Sequence, residues 1–331
     1  MDKFAVIGSG AWGTALSAVL VAGGKDVTLR TREQSVADDI KNNNENSVFL
    51  PNVKFKGAIK VTLSLQEALN GAEAVLMVTP AQFVRDVCRQ MKDFYPSGVP
   101  LVICSKGIEI SGGLLMSEVV SQELPMAEIA VLSGPSFAAE AAVGKPTLVT
   151  IACSNEEIGK NLVSSFGSMT FRPYYSDDVV GVQIGGAVKN VLAIAAGVVE
   201  GKNLGENTRA ALITRGLAEV CRLAKAMGAK ETTLMGMSGI GDLMLTANSK
   251  QSRNYSVGFE LGQGKSLAEI MQGKITVAEG VYTASAVCKM AEKVGVEMPI
   301  CSAVDKVLQG QASVDDMIKA LLSRPFKTEG K

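Results

Sequence analysis

The stretch Phe4-Ala5-Val6-Ile7-Gly8-Ser9-Gly10-Ala11-Trp12-Gly13-Thr14-Ala15-Leu16 decides the fold of this 331-residue chain. A short apolar run ends in Gly8-x-Gly10-x-x-Gly13, and an apolar, small-residue helix pattern follows it. Gly8 permits the tight turn, Gly10 lets the backbone approach a pyrophosphate, and Gly13 lets the helix pack on the strand. The N-terminus of that helix faces the anion. This order predicts a dinucleotide-binding unit, and the alternative is a structural strand–turn–helix without a ligand.

The bulk composition indicates a compact two-domain protein of balanced charge. Its 331 residues are more than a single hydrophobic core usually accommodates, so two domains are expected. Lys plus Arg and Asp plus Glu number 33 each, which argues against nucleic acid or an acidic membrane as a partner. No charged-then-apolar leader precedes the first strand, so we expect no export and a cytoplasmic location.

Histidine is absent from the sequence, and this limits which side chains could transfer a proton or bind a metal. Any proton transfer must fall to Lys, Asp, Glu, Tyr or Cys, and imidazole ligation of zinc is excluded. The six cysteines are scattered without a C-x-x-C pair, which is typical of reduced thiols in a cytosolic protein. We expect neither a disulfide framework nor a metal site.

The second predicted strand, Asp26-Val27-Thr28-Leu29-Arg30, bears on the choice of cofactor. In an NAD-preferring fold an acidic residue near its end binds the ribose 2′-hydroxyl. Here Arg30, Thr31 and Arg32 come first, and Glu33 follows only afterwards. Because arginine pairs with a 2′-phosphate or stacks on adenine, the pattern favours NADPH. The alternative is a pair of solvated surface arginines.

Four later apolar runs predict further strands. They cover residues 74–80, 101–105, 129–133 and 147–152. Strands that alternate with helices indicate a parallel sheet, whose ligands lie at the carboxyl ends of the strands. Lys106 follows one such end, and Gly134-Pro135-Ser136 follows another. A lone lysine there is more often a surface residue, but Gly107 and the apolar neighbours favour Lys106 as part of a site.

Beyond about residue 180 the pattern becomes helical. Residues 181–199 carry apolar and small side chains on nearly every face, which predicts a buried helix. Further helices are predicted at residues 208–227, 266–271, 283–293, 303–308 and 314–322. The fold class is α/β: an N-terminal Rossmann-type parallel-sheet domain, residues 1–180, and an all-α C-terminal domain, residues 181–331. The apolar run near 184–199 is interrupted and shorter than the ~20 residues of a membrane span, so no span is expected.

Lys189 is the most specific candidate for a catalytic residue in the helical half. An ammonium group among Gly, Ala, Val, Ile and Leu is costly to bury without a partner. Desolvation lowers the pKa of a lysine toward the range useful for proton transfer. The alternative is a side chain that extends to the helix surface. Asn190 beside it either holds a substrate oxygen or bonds locally.

Two later segments carry polar groups suited to a substrate. Asp242 lies in a glycine-flanked turn, where it can pair with Lys189, bind a substrate hydroxyl or cap the next turn. Gln251-Ser252-Arg253-Asn254 supplies a hydroxyl, a guanidinium and an amide, a set that suits a phosphate but alone is only a polar loop. Glu279 has no role that can be read from spacing. A dinucleotide domain, a buried lysine and an anion pocket together predict carbonyl reduction, with the proton from Lys189.

The motifs of the chain resemble those of bacterial NAD(P)-dependent glycerol-3-phosphate dehydrogenases. The resemblance spans nearly the whole chain, in the family's order. It is carried by the first glycine stretch and by Ser105-Lys106-Gly107-Ile108-Glu109, Ser133-Gly134-Pro135-Ser136-Phe137-Ala138, Gly185-Gly186-Ala187-Val188-Lys189-Asn190, Gly239-Ile240-Gly241-Asp242-Leu243, Gln251-Ser252-Arg253-Asn254, Glu279-Gly280 and Val296-Glu297-Met298-Pro299-Ile300.

This resemblance implies reversible reduction of dihydroxyacetone phosphate to sn-glycerol 3-phosphate with NADPH or NADH, supplying phospholipid synthesis, in a cytoplasmic homodimer. It implies Lys189 as proton donor and acceptor. The implied substrate contacts are Lys106, Gly134, Ser136, Lys189, Asp242, Ser252, Arg253 and Asn254. The implied dinucleotide contacts, with the glycines Gly8, Gly10 and Gly13, are Ala11, Trp12, Arg32, Lys106, Ala138, Arg253, Val277 and Glu279. Ala11 stands where relatives often carry Ser, so only its backbone N–H can serve the pyrophosphate.

Two other functions fit parts of the same pattern. One is a related reductase of 3-hydroxy acids, whose carboxylate substrate would use the same arginine and lysine. The other is a protein that senses NAD(P)H without turning it over. Lys189 separates the classes, because a sensor has no need of a buried lysine that faces the nicotinamide.

Overall fold

A mainly parallel sheet with a hydrophobic core on each face forms the N-terminal half of the protein, in a computed structural model that describes residues 1–272, 278–325 and 328. The strands of the described chain are β1 (Lys3–Ile7), β2 (Asp26–Arg30), β3 (Glu45–Asn46), β4 (Leu50–Lys54), β5 (Lys60–Thr62), β6 (Ala74–Met77), β7 (Pro100–Ile103), β8 (Glu128–Ser133), β9 (Thr147–Cys153) and β10 (Phe171–Ser176). Eight of them form one sheet in the order β10-β9-β8-β7-β6-β1-β2-β5, and β3 and β4 form a separate antiparallel hairpin.

The helices surround the sheet and then continue alone. In the N-terminal half they are α1 (Ala11–Ala22), α2 (Gln34–Asn43), α3 (Leu65–Leu69), α4 (Val84–Met91), α5 (Met116–Glu123), α6 (Ala138–Ala142) and α7 (Glu156–Phe166). In the C-terminal half they are α8 (Val179–Gly201), α9 (Glu206–Ala226), α10 (Glu231–Leu234), α11 (Asp242–Ala247), α12 (Arg253–Gly262), α13 (Leu267–Met271), α14 (Glu279–Lys293), α15 (Pro299–Leu308) and α16 (Val314–Leu322). A π-helical turn, Met237–Gly241, leads directly into α11.

The continuous apolar run of β1 explains its central position. Phe4 and Val6 pack into the core on one face of the sheet, and Ala5 and Ile7 pack into the core on the other. Successive side chains of a strand point to opposite faces, so a strand that is covered on both sides needs apolar residues throughout. The predicted strand–glycine turn–helix and the Rossmann-type class are confirmed.

The sheet departs from the prediction in the direction of one strand pair and in its two edge strands. β8 and β9 pair in antiparallel fashion, whereas every other pair in this sheet is parallel. Between them α6 packs on α1 beside the glycine turn instead of crossing a face of the sheet, so the chain reverses direction. The edge strands β5 and β10 were not predicted. β5 is only three residues long, and β10 contains Pro173, which sequence patterns count against a strand.

α8 is the central helix of the C-terminal half. It packs against α9, α11, α12, α14 and α15, and its apolar residues form the middle of that half's hydrophobic core. The predicted buried helix is confirmed, and the all-helical character after β10 holds for the described residues.

α8 also corrects the length expected for its apolar run. It has 23 residues, so it is long and apolar enough to cross a membrane by length and composition alone. However, 89% of its most apolar window is buried inside the protein. Its apolar character is therefore that of a core helix, and the premise that the run was too short is wrong.

The passage between the two halves is short. β10 ends at Ser176 and α8 begins at Val179, where the Asp178 side chain accepts a 2.8 Å hydrogen bond from the N–H of Gly181. α8 then contacts β8 and β9 of the sheet as well as its helical neighbours. The division into domains at residue 180 stays a prediction.

Two glycines of the first turn should differ sharply in their effect on stability. A Cβ at Gly13 would lie 1.9 Å from the carbonyl oxygen of Gly8, whereas a Cβ at Gly10 would meet nothing within 4 Å. We expect Gly13→Ala to lower the free energy of unfolding by about 2 kcal/mol, because α1 must move off the turn. Gly10→Ala should change it by less than about 0.5 kcal/mol, since its φ of −61° suits alanine.

Urea denaturation of both variants beside the wild type measures this difference. Equal midpoints for the Gly13→Ala and Gly10→Ala proteins would contradict the close approach of α1 to the glycine turn.

Candidate active site

The glycine turn between β1 and α1 leaves backbone N–H donors open at one end of the sheet. Gly8 has a φ of +117°, which L side chains rarely adopt. The first backbone N–H groups of α1 point beyond the helix, no acidic residue lies in its first turn, and the space above Gly10 is open. Ala11 and Trp12 begin the helix at this point. The turn therefore offers N–H donors and room for a pyrophosphate.

Three buried side-chain atoms lack hydrogen-bond partners within the described chain. They are Nε1 of Trp12, in the first turn of α1, Oγ of Ser133, at the end of β8, and Oε2 of Glu279, the first residue of α14. Buried polar groups in proteins are nearly always paired, so the atoms of Trp12 and Glu279 each fit a bound molecule that supplies the missing partner. Burial raises the pKa of Glu279, and the N–H of Ala81 and the charge of Arg253 only partly offset this. The residues present fit a dinucleotide.

The turn is held from outside by the β3–β4 hairpin. Nδ2 of Asn46, which is fully buried, donates to the carbonyl of Ser9 at 2.9 Å and to Oγ1 of Thr14 at 2.8 Å. Sequence reasoning missed Asn46 because it lies in a polar stretch with no motif. Its partners are 32 and 37 residues away along the chain.

Three charged side chains, two of them buried, meet at Asp242. Its Oδ2 accepts from Nζ of Lys106 at 2.6 Å, and its Oδ1 accepts from Nζ of Lys189 at 2.8 Å. Lys189 also donates to Oγ1 of Thr246 at 2.7 Å. Lys106 follows β7, Lys189 lies in α8, and Asp242 begins α11, so one carboxylate joins the sheet to two helices. The predicted pairing of Lys189 with Asp242 is present, and the side chain of Lys189 does not extend to the surface.

One carboxylate shared by two ammonium groups leaves this cluster short of negative charge. Burial opposes ionisation of Asp242, but the charges and hydrogen bonds of Lys106 and Lys189 outweigh it and lower its pKa. Burial lowers the pKa of Lys189 to about 8; Asp242 opposes this shift, and Lys106 and Arg253 add to it. An anion that enters the cluster therefore meets an excess of positive charge.

Lys106 is positioned by the ends of two neighbouring strands. Its Nζ donates to the carbonyl of Gly134 at 3.0 Å, an oxygen that also accepts from Oγ of Ser136 at 3.0 Å. The loop after β7 is braced by Gln82, which donates to the carbonyl of Ile108 and accepts from the N–H of Ile110. Lys106, Gly134 and Ser136 are thus brought together as predicted, whereas Gln82 was missed.

The Ser252-Arg253-Asn254 triplet differs in part from the predicted substrate pocket. Ser252 caps α12, with its Oγ accepting from the N–H of Tyr255 at 3.3 Å. Asn254 is buried: its Nδ2 donates to Oδ1 of Asn190 and its Oδ1 accepts from the N–H of Gly280, both at 2.9 Å. Only Arg253 is exposed. Ser252 and Asn254 thus have structural partners in addition to any contact with a ligand.

Asn190 extends this hydrogen-bond network to the loop after β7 that carries Lys106. Its Nδ2 donates to the carbonyl of Lys106 at 3.4 Å, a residue 84 positions away, so its partners within the protein are distant in sequence rather than local; its predicted contact with a substrate oxygen stays a prediction. The chain of amides links α14, α12 and α8 to the loop that carries Lys106.

The remaining predicted dinucleotide contacts lie around the same edge. Ala138 begins α6 and packs against the start of α1. Arg32 follows β2 with 70% of its side chain exposed. Val277 lies outside the described residues. The described residues contain no group of three or more His, Cys, Asp or Glu side chains that could hold a metal ion.

Thr246 is the member of this hydrogen-bonded cluster that sequence reasoning missed most directly. Its Oγ1 accepts from Lys189 and donates to the Asp242 backbone carbonyl at 2.7 Å. It comes four residues after Asp242 in α11, and this i, i+4 spacing puts the two side chains on one helix face. That spacing is the sequence signal that points to it.

Comparison with known proteins assigns the chain to a family. The family model for the N-terminus of NAD-dependent glycerol-3-phosphate dehydrogenase matches residues 3–159, and that for its C-terminus matches residues 178–319. Glycerol-3-phosphate dehydrogenase [NAD(P)+] from Rhodospirillum rubrum is 54% identical over all of this chain and 95% of its own length. The one from Caulobacter vibrioides is 49% identical over 99% of each chain.

A solved structure agrees in fold. The crystal structure of glycerol-3-phosphate dehydrogenase from Coxiella burnetii superposes with a TM-score of 0.93 at 38% identity, covering 98% of this chain and 99% of that one. Sequence and structure together lead to one conclusion: the chain belongs to the NAD-dependent glycerol-3-phosphate dehydrogenase family.

Proposed function

We propose that this chain catalyses the reversible reduction of dihydroxyacetone phosphate to sn-glycerol 3-phosphate with NADPH or NADH, and that Lys189 is the proton donor. The observation that carries the proposal is the buried Lys106–Asp242–Lys189 cluster at the carboxyl ends of the strands. The relatives named glycerol-3-phosphate dehydrogenase [NAD(P)+], about half identical over nearly the whole chain, support the reaction.

The dinucleotide would be held along the glycine turn. The backbone at Gly8, Gly10 and Gly13 and the N–H groups of Ala11 and Trp12 would receive the pyrophosphate. Arg32 would serve a 2′-phosphate, and Lys106, Ala138, Arg253, Val277 and Glu279 complete the proposed contacts. When bound, the nicotinamide supplies a hydride to the substrate carbonyl carbon.

The substrate would be held by the positive charge around Asp242. Arg253, exposed at the start of α12, offers a forked guanidinium that suits a phosphate. Gly134, Ser136, Ser252 and Asn254 are the further proposed contacts. Because burial excludes water from the lysines, their attraction for an anion is stronger than at a surface.

Lys189 would act on the carbonyl oxygen of the substrate. As hydride arrives at carbon, negative charge develops on oxygen, and the ammonium group stabilises that charge before it gives up a proton. Asp242 and Thr246 orient Lys189 through their hydrogen bonds of 2.8 and 2.7 Å. In the oxidative direction the neutral amine takes the proton back from the substrate hydroxyl.

The setting of the enzyme is proposed on separate grounds. The product would supply glycerophospholipid synthesis, and we propose a homodimer by the family resemblance. The six cysteines are free thiols, which supports a cytoplasmic location. We further propose that residues 1–180 bind the dinucleotide and residues 181–331 complete the substrate site.

Removal of the Lys189 ammonium should separate turnover from binding. We expect Lys189→Ala to lower kcat about a thousandfold, because it removes the general acid and its charge. NADPH binding, measured by quenching of the single tryptophan, Trp12, should stay nearly unchanged. Near-normal kcat in this variant would remove Lys189 from the mechanism.

The direction of the reaction should set the sign of its pH dependence. The pKa of Lys189 is lowered to about 8, and reduction needs its protonated form. We therefore expect kcat/KM for reduction to fall as pH rises through about 8, and kcat/KM for oxidation to rise over the same interval. Asp242→Asn should move both inflections to lower pH, because it removes the anion that favours the ammonium form.

These profiles are recorded at concentrations of both substrates well below KM. Inflections that stay in place in the Asp242→Asn variant would assign the titration to another group.

The phosphate of the substrate should depend on Arg253. We expect Arg253→Gln to raise KM for dihydroxyacetone phosphate about thirtyfold, because a charge-assisted forked contact is lost. Because Arg253 is also a proposed dinucleotide contact, both reactions are run with NADPH saturating, and the rate with unphosphorylated dihydroxyacetone, low in the wild type, should then change little. NADPH absorbance follows both reactions, and Lys265→Gln, a charge removed just beyond the other end of α12, is the matched control. Equal wild-type rates with the two substrates would exclude a phosphate pocket.

A further inference from the structure

We infer that Glu33 determines cofactor specificity together with Arg32: its carboxylate accepts a hydrogen bond from the adenosine 2′-hydroxyl of NADH, while Arg32 serves the 2′-phosphate of NADPH. This inference rests on the proposed use of both dinucleotides. It gives the two neighbouring side chains after β2 opposite preferences.

The first support is the position of Thr31, directly after β2. β2 pairs with β1 so that Arg30 lies opposite Ile7, and the N–H of Gly8 donates to the carbonyl of Arg30 at 3.2 Å. Thr31 therefore lies beside the glycine turn, at the strand end where NAD-binding folds carry an acidic residue. A threonine hydroxyl has no charge with which to replace that residue.

The second support is a chain of hydrogen bonds that holds the carboxylate of Glu33 beside Thr31. Oγ of Ser9 donates to Oγ1 of Thr31 at 2.8 Å, and Oγ1 of Thr31 donates to Oε2 of Glu33 at 3.0 Å. The N–H of Glu33 also donates to Oγ1 of Thr31, at 3.2 Å. Ser9 and Thr31 are both buried, so the chain is fixed to the glycine turn itself. Glu33 thus supplies the acid that position 31 lacks.

The third support is that the contacts of Glu33 leave one carboxylate oxygen, Oε1, only loosely engaged. Glu33 is the N-cap residue of α2, yet its side chain makes no capping hydrogen bond. Oε1 lies 3.7 Å from Nη2 of Arg32, a loose surface ion pair, and 39% of the Glu33 side chain is exposed. The carboxylate therefore keeps lone pairs for a further donor.

Charge then decides between the two cofactors. A 2′-hydroxyl donates to a carboxylate, whereas a 2′-phosphate carries negative charge and is repelled by it. Arg32 has the reverse preference. Glu33 consequently strengthens NADH binding and weakens NADPH binding, and the pair lets one site accept both dinucleotides.

The test is Glu33→Gln, with dissociation constants for NADH and NADPH from quenching of Trp12 fluorescence. We expect NADH to bind about fivefold more weakly, because a charged acceptor becomes a neutral one. NADPH should bind about threefold more tightly, because the repulsion is removed and Arg32 is freed. Opposite shifts for two ligands of one site cannot arise from partial unfolding.

Three further variants sharpen the result. Thr31→Val removes the hydroxyl that anchors the carboxylate, so it should shift the NADH to NADPH ratio in the same direction by a smaller factor. Arg32→Asp should shift it in the opposite direction by weakening NADPH. Glu157→Gln, at an exposed glutamate in the first turn of α7, is the matched control and should leave both constants unchanged.

An unchanged ratio of the two dissociation constants in Glu33→Gln, or equal weakening of both ligands, would overturn the role of Glu33. Failure of the proposed function would be seen elsewhere. A wild type that binds neither dinucleotide would overturn cofactor use and the inference with it. A wild type that binds both but does not reduce dihydroxyacetone phosphate would overturn only the reaction.

Discussion

The rest of the structure depends on one carboxylate that is shared by two lysines. Asp242 bonds Lys106 from the sheet and Lys189 from α8, and its side chain is only 1% exposed. Leaving a buried charge without its partner costs about 3–5 kcal/mol, so each of the three groups requires the others. The ion cluster therefore joins the dinucleotide end of the sheet to the helical half, and the same contacts that hold the fold set the electrostatics of the site.

Close backbone packing brings Asp242 to this position. A Cβ at Gly185 of α8 would lie 2.5 Å from the carbonyl of Ser238, which belongs to the π-helical turn before α11. Only glycine permits that approach, and π-helical turns often occur where a functional side chain must be re-aimed. Lys189 lies four residues after Gly185, one helical turn along the same face, so the contact that sets the turn also sets the distance from Lys189 to Asp242.

Local patterns were enough to predict much of this arrangement, and non-local pairings account for what was missed. The glycine turn, the buried strands and Lys189 are visible because each depends on neighbours within a few residues. The antiparallel pairing of β8 with β9 depends on where α6 packs, and Asn46 acts on partners more than thirty residues away. Asn254 illustrates the same limit: residue type suggested a ligand for it, but only the fold reveals that its amide is bonded to Asn190 and Gly280.

Because the sequence has no histidine, the proton-donor role proposed for Lys189 requires that this lysine be buried. A solvated lysine holds its proton too tightly to exchange it near neutral pH, and burial lowers the pKa of Lys189 to about 8. A second carboxylate in the cluster would stabilise the protein more and raise that pKa again. With Asp242 as the single anion for two ammonium groups, the cluster keeps an excess of positive charge. In the proposed mechanism, the negative charge that develops on the carbonyl oxygen would offset this excess, so the charge imbalance that weakens the fold would favour the transition state.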